Sequence, residues 1–185
     1  TYNFESIGLK SIHVDLPFRT LISLYGKIYE SESDRLKSYV KLRDEIETAL
    51  AIGYYDKLDE LLGQVKDELG ESLWYARIKL LKLYLNGEAS EMQDFCTTLK
   101  SRTNDSMLLF IIHYLIILTQ SIDPRNVIEV VLNEQLKELK SAGFVDYANL
   151  MQEFLVPAHM KEVKITPYML ELFQKVNVID QYNLI

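Results

Sequence analysis

The side chains equipped for covalent or metal chemistry are few and far apart. One cysteine, Cys96, and three histidines, His13, His113 and His159, make up the nucleophile and soft-ligand set. A helical zinc pair needs ligands three or four residues apart, so that both face one ion. None of the three histidines has a partner at that spacing. A nucleophilic cysteine needs a base beside it and an electropositive surround to hold the thiolate. Only tertiary packing would bring His113 to Cys96. Carboxylate pairs such as Asp59-Glu60 and Asp67-Glu68 fall on the outer sides of helical patterns and read as solvated faces, not acid–base dyads. There is no Gly-rich phosphate loop, no Gly-x-Ser-x-Gly and no Cys-x-x-Cys. The expectation is therefore a non-enzyme with no cofactor and no metal. The competing enzymatic reading would assemble a site from Arg43, Arg77, Cys96 and His113.

The elements that would carry these residues are helical. The chain has 185 residues, 48% apolar and 25% charged, which is a globular balance with enough length for a real core. Only seven glycines and four prolines occur, too few for a sheet with many tight turns. The formal charge is −7, and the basic residues are interleaved with acids: Lys37, Lys41 and Arg43 sit among Asp34, Asp44, Glu45 and Glu47. A nucleic-acid partner needs a basic stripe to neutralise phosphates, and none is present. A single cysteine allows no intramolecular disulfide and fits a reducing, cytoplasmic location. No signal peptide is evident, and the missing initiator methionine fits a piece of a longer or processed chain. The most apolar run, Met107 to Leu118, would span about 18 Å as a helix, short of a bilayer. It predicts the most buried helix of a soluble fold, with Phe110→Ala costing about 3–5 kcal/mol.

Periodicity sets the element boundaries. Residues 1–16 are poorly patterned and read as an N-terminal arm. From Pro17, the residues Phe18, Leu21, Ile22 and Tyr25 recur at helical spacing. Ser31 to Asp34 offers N-cap oxygens for a helix at 34–51, which Gly53 ends. Helices follow at 54–69, 72–86, 89–102, 105–120, 124–141 and 144–155. The helical-repeat domain thus covers 17–156, and 157–185 forms a capping helix and tail. Thr166-Pro167 starts that last helix, with the hydroxyl as N-cap and proline in the first turn. Residues 166–185 are expected to fold back onto the helices at 124–156 and seal the end of the stack.

The turns at Gly53, Gly87, Ser121 and Leu155 are each 34 residues apart. Apolar columns repeat with the same step: Tyr39, Leu73 and Met107; Leu42, Ala76 and Phe110; Ile46, Leu80 and Tyr114; Leu50, Tyr84 and Leu118; Leu62, Cys96 and Val130. A 34-residue helix-turn-helix period resembles that of tetratricopeptide repeats. The segment Ile52-Gly53-Tyr54-Tyr55-Asp56-Lys57-Leu58 is similar to the family's Gly-x-Tyr-x-x-Ala turn, and the likeness covers about residues 35–136. It is a degenerate likeness. Leu58 and Met92 replace the family's alanine, and Leu42, Glu45 and Ile46 replace its tryptophan, leucine and glycine.

The resemblance implies an all-α fold, an α-α superhelix of about four stacked helical hairpins with a C-terminal cap. It also implies a concave groove lined by Val40, Arg43 and Glu47, then by Trp74, Arg77, Leu81 and Tyr84. Arg43 and Arg77 stand one period apart with Trp74 between them. Guanidinium forks and a rigid aromatic suit a peptide carboxylate or acidic side chain. The competing arrangement puts Trp74 in the core and pairs the arginines with Glu47 and Glu71. The expected function is a protein–protein interaction or scaffold module that binds another polypeptide or another domain of a longer chain. The alternatives are a helical enzyme, or part of one, and a structural protein that dimerises through Val176 to Ile185.

Overall fold

Residues 18–104, 106–120, 133–141 and 176–183 are described by the computed structural model. Every regular element among them is an α-helix. In chain order they are α1 (Phe18–Ser31), α2 (Ser33–Ile52), α3 (Tyr55–Glu68), α4 (Leu73–Leu85), α5 (Ala89–Ser101), α6 (Ser106–Gln120), α7 (Asn133–Ser141) and α8 (Val178–Asn183).

Two glycines reverse the chain in the same way. Gly53 ends α2 at φ 71° and Gly87 ends α4 at φ 72°. After α2, the Tyr54 amide donates to the Ala49 carbonyl at 2.9 Å and the Gly53 amide to Leu50 at 3.2 Å. One period later Glu88 donates to Leu83 at 3.0 Å and Gly87 to Tyr84 at 3.2 Å. This is the Schellman closure, and it needs a left-handed residue that only glycine adopts at little cost. The hairpins α2–α3 and α4–α5 are therefore built by one turn, used twice.

Each hairpin is closed by apolar faces at helical spacing. Tyr39, Leu42, Ile46 and Ala49 of α2 and Leu58, Leu61, Leu62 and Val65 of α3 are buried. In the second hairpin Leu73, Ala76, Leu80 and Leu83 of α4 and Phe95, Cys96 and Leu99 of α5 are buried. α3 packs on α4, and α6 packs on both α4 and α5, so the hairpins share one core. The column of Ile46, Leu80 and Tyr114 is fully buried in all three helices. The column of Leu50, Tyr84 and Leu118 lies toward the turns and is wetter: Leu50 and Leu118 are half-buried and Tyr84 is exposed.

Polar groups tie the hairpins together. The Lys82 ammonium is buried yet reaches Asp59 of α3 at 3.1 Å and Glu88, at the start of α5, at 2.9 Å. Burial works against its charge, and the hydrogen bonds to Glu88 and Asp59 outweigh that and hold its pKa above the usual lysine value. Arg35 of α2 donates to the Leu69 carbonyl in the α3–α4 loop. In the same loop Glu71 pairs with Arg102 and, at 3.3 Å, with Lys66.

Three expectations change. The break at Ser31 to Asp34 is a single residue, Glu32, across which backbone hydrogen bonds continue from Glu32 to Ile28 and from Leu36 to Glu32. The Ser31 hydroxyl donates backwards to the Ile28 carbonyl at 2.8 Å, so it caps nothing ahead of it. Without a left-handed residue there, the first closed hairpin is α2–α3. Second, α6 does not stand out among the described residues: α4, which packs on α3, α5, α6 and α8, is buried to a similar degree. In α6, Ile111, Ile112 and Tyr114 are buried, but His113 is exposed and Phe110 is half-buried. Phe110→Ala is therefore expected to cost about 2 kcal/mol, below the range for a fully buried ring. Urea denaturation checks this, and a loss near 4 kcal/mol would show that the ring is held more tightly than its exposure indicates. Third, the C-terminal segment lies against α2 and α4, as described below.

The arm at 1–16, the turns at Ser121 and Leu155, the helix at 144–155, the helix start at Thr166-Pro167 and all of 124–132 lie outside the described residues. Among the described residues no helix is long and apolar enough to cross a membrane.

Candidate functional site

Residues 176–183 form the feature that organises the surface of α2 and α4. Asn177 starts the short helix α8 by its own side chain: its Oδ1 accepts from the amides of Ile179 at 2.9 Å and Asp180 at 3.2 Å. That is the N-cap role for which asparagine is favoured. Val176, Val178 and Ile179 are buried, and so are Asn177, Asp180 and Gln181. Asn177 Nδ2 donates to the Glu71 carbonyl at 3.4 Å, and Gln181 Nε2 to the Val176 carbonyl at 3.3 Å.

Asp180 does the anchoring. Its carboxylate accepts from the Leu73 amide at 2.7 Å and the Trp74 amide at 2.9 Å. Ser72, the N-cap of α4, accepts from the Tyr75 amide at 2.9 Å. The first three amides of α4 are orphans of helix geometry, and they are satisfied from two directions. Ser72 caps locally, and Asp180 caps from the far end of the chain. The positive end of the helix dipole also favours an acid there. Asp180 forms no ion pair with a described residue, and complete burial pushes its carboxyl up to about 7 although the two amides pull it down.

Beside the acid lies an aromatic cluster. Tyr39 of α2 is fully enclosed, and its hydroxyl donates to Asn183 Oδ1 at 2.8 Å. Its ring meets Trp74 edge-on at 4.9 Å and Tyr182 edge-on at 6.1 Å. The Arg43 guanidinium lies 5.7 Å from the Tyr39 ring centre. Burial raises the Tyr39 phenol above its ordinary pKa, so it stays a neutral donor.

The predicted groove residues divide along this surface. Arg43, Trp74 and Tyr39 meet at the tail, and Arg43 approaches Asp44 at 3.8 Å and Glu47 at 4.0 Å. Glu47 is exposed at the edge. Arg77 and Tyr84 follow Trp74 along α4, and both are exposed. Trp74 is half-buried against the core edge. Glu71 pairs with Arg102 and Lys66, not with Arg77.

The four residues of the enzymatic alternative lie on four different helices, α2, α4, α5 and α6. Cys96 is buried in α5, and burial pushes its thiol up, away from the thiolate. His113 is exposed on α6 with its ring edge-on to Tyr114 at 5.5 Å. No hydrogen bond or ion pair among the described residues joins any two of Arg43, Arg77, Cys96 and His113. No group of three or more His, Cys, Asp or Glu among the described residues is placed to hold a metal. The apolar tail residues Val176, Val178 and Ile179, offered above as a dimer contact, are spent within the chain.

Sequence reasoning missed Asp180, Asn177 and Tyr182. The signal for Asn177 was present, because an asparagine three residues before an acid is an N-cap pattern. No local signal ties Asp180 to Leu73. No family model, curated protein or solved structure matches this chain, and its functional reading rests on the geometry just described.

Proposed function

We propose that this chain is an interaction module, a superhelix of stacked hairpins that binds another polypeptide, or another domain of a longer chain, on the face of α2 and α4. One observation carries this reading: that face already holds a stretch of polypeptide. Residues 176–183 lie on it through a carboxylate on a helix N-terminus, an asparagine on a buried tyrosine hydroxyl, and edge-on aromatic contacts. These are the contacts by which helical grooves recognise peptides. The repeated Schellman turns at Gly53 and Gly87 support the stacked arrangement.

Site-specific photo-crosslinking in an extract of the source cell tests it. A crosslinker at Arg77, exposed on α4, should capture a discrete polypeptide. The same group at Lys100, exposed on α5, should not. Equal, diffuse labelling from both positions would sink the reading.

A further inference from the structure

We propose that the α2–α4 face takes a short helical segment of the pattern Asn-x-x-Asp-x-Tyr-Asn, its acid seated on the N-terminus of α4, and that residues 176–183 occupy the face as a displaceable internal competitor. This rests on the reading that the face binds polypeptide, and it names the ligand's chemistry.

The contact set is contiguous in the segment and dispersed on the face. Asn177, Asp180, Tyr182 and Asn183 supply it from seven consecutive residues, and they meet Glu71, Leu73, Trp74 and Tyr39. Any other chain with those four side chains at the same spacing can present the whole set. The acid is required by its two acceptor oxygens: α4 offers at its positive end two amides that have no partner within the helix, and Arg43 stands beside the aromatic cluster. The asparagine at the first position is required to start the helix that aims the acid.

The same contacts explain why the internal segment can leave. They are hydrogen bonds from polar side chains, and water replaces such bonds with little net change. A permanent closure would be apolar, whereas this one buries a carboxyl completely and burial disfavours its charge. Among the described residues of the segment the apolar anchor is Val176, Val178 and Ile179. Arg77 and Tyr84 remain exposed further along α4, so a longer ligand gains contacts there.

The test uses the full chain and a fluorescent synthetic peptide of residues 174–185. Ile179→Asp places a charge in the segment's buried anchor and leaves unchanged the face residues Leu73, Trp74 and Tyr39 that hold the acid and the aromatics. Fluorescence anisotropy should show the Ile179→Asp chain binding the peptide at least about tenfold more tightly than the wild-type chain, whose face is occupied. The peptide carrying Asp180→Ala should lose at least about tenfold. Val178→Ser in the full chain serves as the milder variant if far-ultraviolet circular dichroism shows that Ile179→Asp has lost its helix. A folded variant that binds the peptide no better than wild type overturns the proposal, and so does equal binding of the Asp180→Ala peptide. If that happens while Arg77 still cross-links a partner, the ligand pattern is wrong and the interaction reading stands. Loss of both signals removes both.

Discussion

Replacing Tyr39 by alanine should destabilise the protein by about 3–5 kcal/mol, while phenylalanine at the same place should cost only about 1 kcal/mol. The ring is enclosed where α2, α4 and α8 meet. Its removal leaves a cavity bounded by Trp74, which touches it edge-on at 4.9 Å, and by Tyr182 at 6.1 Å. Neighbours in a shared core close such a cavity only in part, and the lost dispersion contacts remain lost. Phenylalanine keeps the ring and drops the hydroxyl. The deserted partner, Asn183, is exposed, so its amide turns to water instead of standing unpaired. Urea denaturation of both variants at neutral pH gives the two numbers. If phenylalanine proves as harmful as alanine, the hydrogen bond to Asn183 holds this corner together and the ring does not.

Asp180→Asn should cost about 1–3 kcal/mol at pH 5, and between pH 5 and pH 8 it should regain roughly 2–4 kcal/mol relative to the wild type. Burial lifts the folded-state pKa of Asp180 to about 7, above the ordinary aspartate value. A group raised in this way binds its proton more tightly when folded. Its contribution is whole below about pH 4 and is lost as pH climbs to about 7 and beyond. Asparagine never carries the charge, but its Nδ2 only donates, so one of the Leu73 and Trp74 amides loses its acceptor. It therefore starts below the wild type at acid pH and escapes the loss of stability that the wild type undergoes as its buried acid ionises. The groups facing Asp180 are the amides of Leu73 and Trp74 on α4 and, more remotely, the Tyr39 phenol on α2. Denaturation midpoints of both proteins from pH 4.5 to 8.5 would trace the window. A difference between the two proteins that stays constant from pH 5 to pH 8 would show that the two amides and the end of α4 outweigh burial and keep the acid ionised.

These two side chains also mark how far the sequence could be read. Helix spacing alone placed Tyr39 on a buried face of α2, because Tyr39, Leu42 and Ile46 recur at one helical side. Asp180 was read only as part of a tail. Its partners are 107 and 106 residues away, at Leu73 and Trp74, and no local pattern encodes a distance of that kind. Arg43 and Trp74 fall beside the apolar columns, and the spacing left open whether Trp74 lines a groove or joins the core. That the face they share would be covered by Tyr182 and Asn183 was not legible.

What the sequence by itself determined is the set of helices from Phe18 to Gln120 and the two identical turns. Both depend on short-range physics: apolar residues three and four apart define a face, and only glycine enters the left-handed turn cheaply at positions 53 and 87. The inward turn of Ile46, Leu80 and Tyr114 follows from the same spacing. Only the tertiary structure decided where residues 176–183 lie and what the face of α2 and α4 meets. A six-residue helix such as α8 has little stability of its own. It forms where Asn177 can cap it and where the free amides of α4 can take its acid, and those amides are free only because Gly70 ends α3 and the chain restarts at Ser72. Such a place exists only after the hairpins have packed.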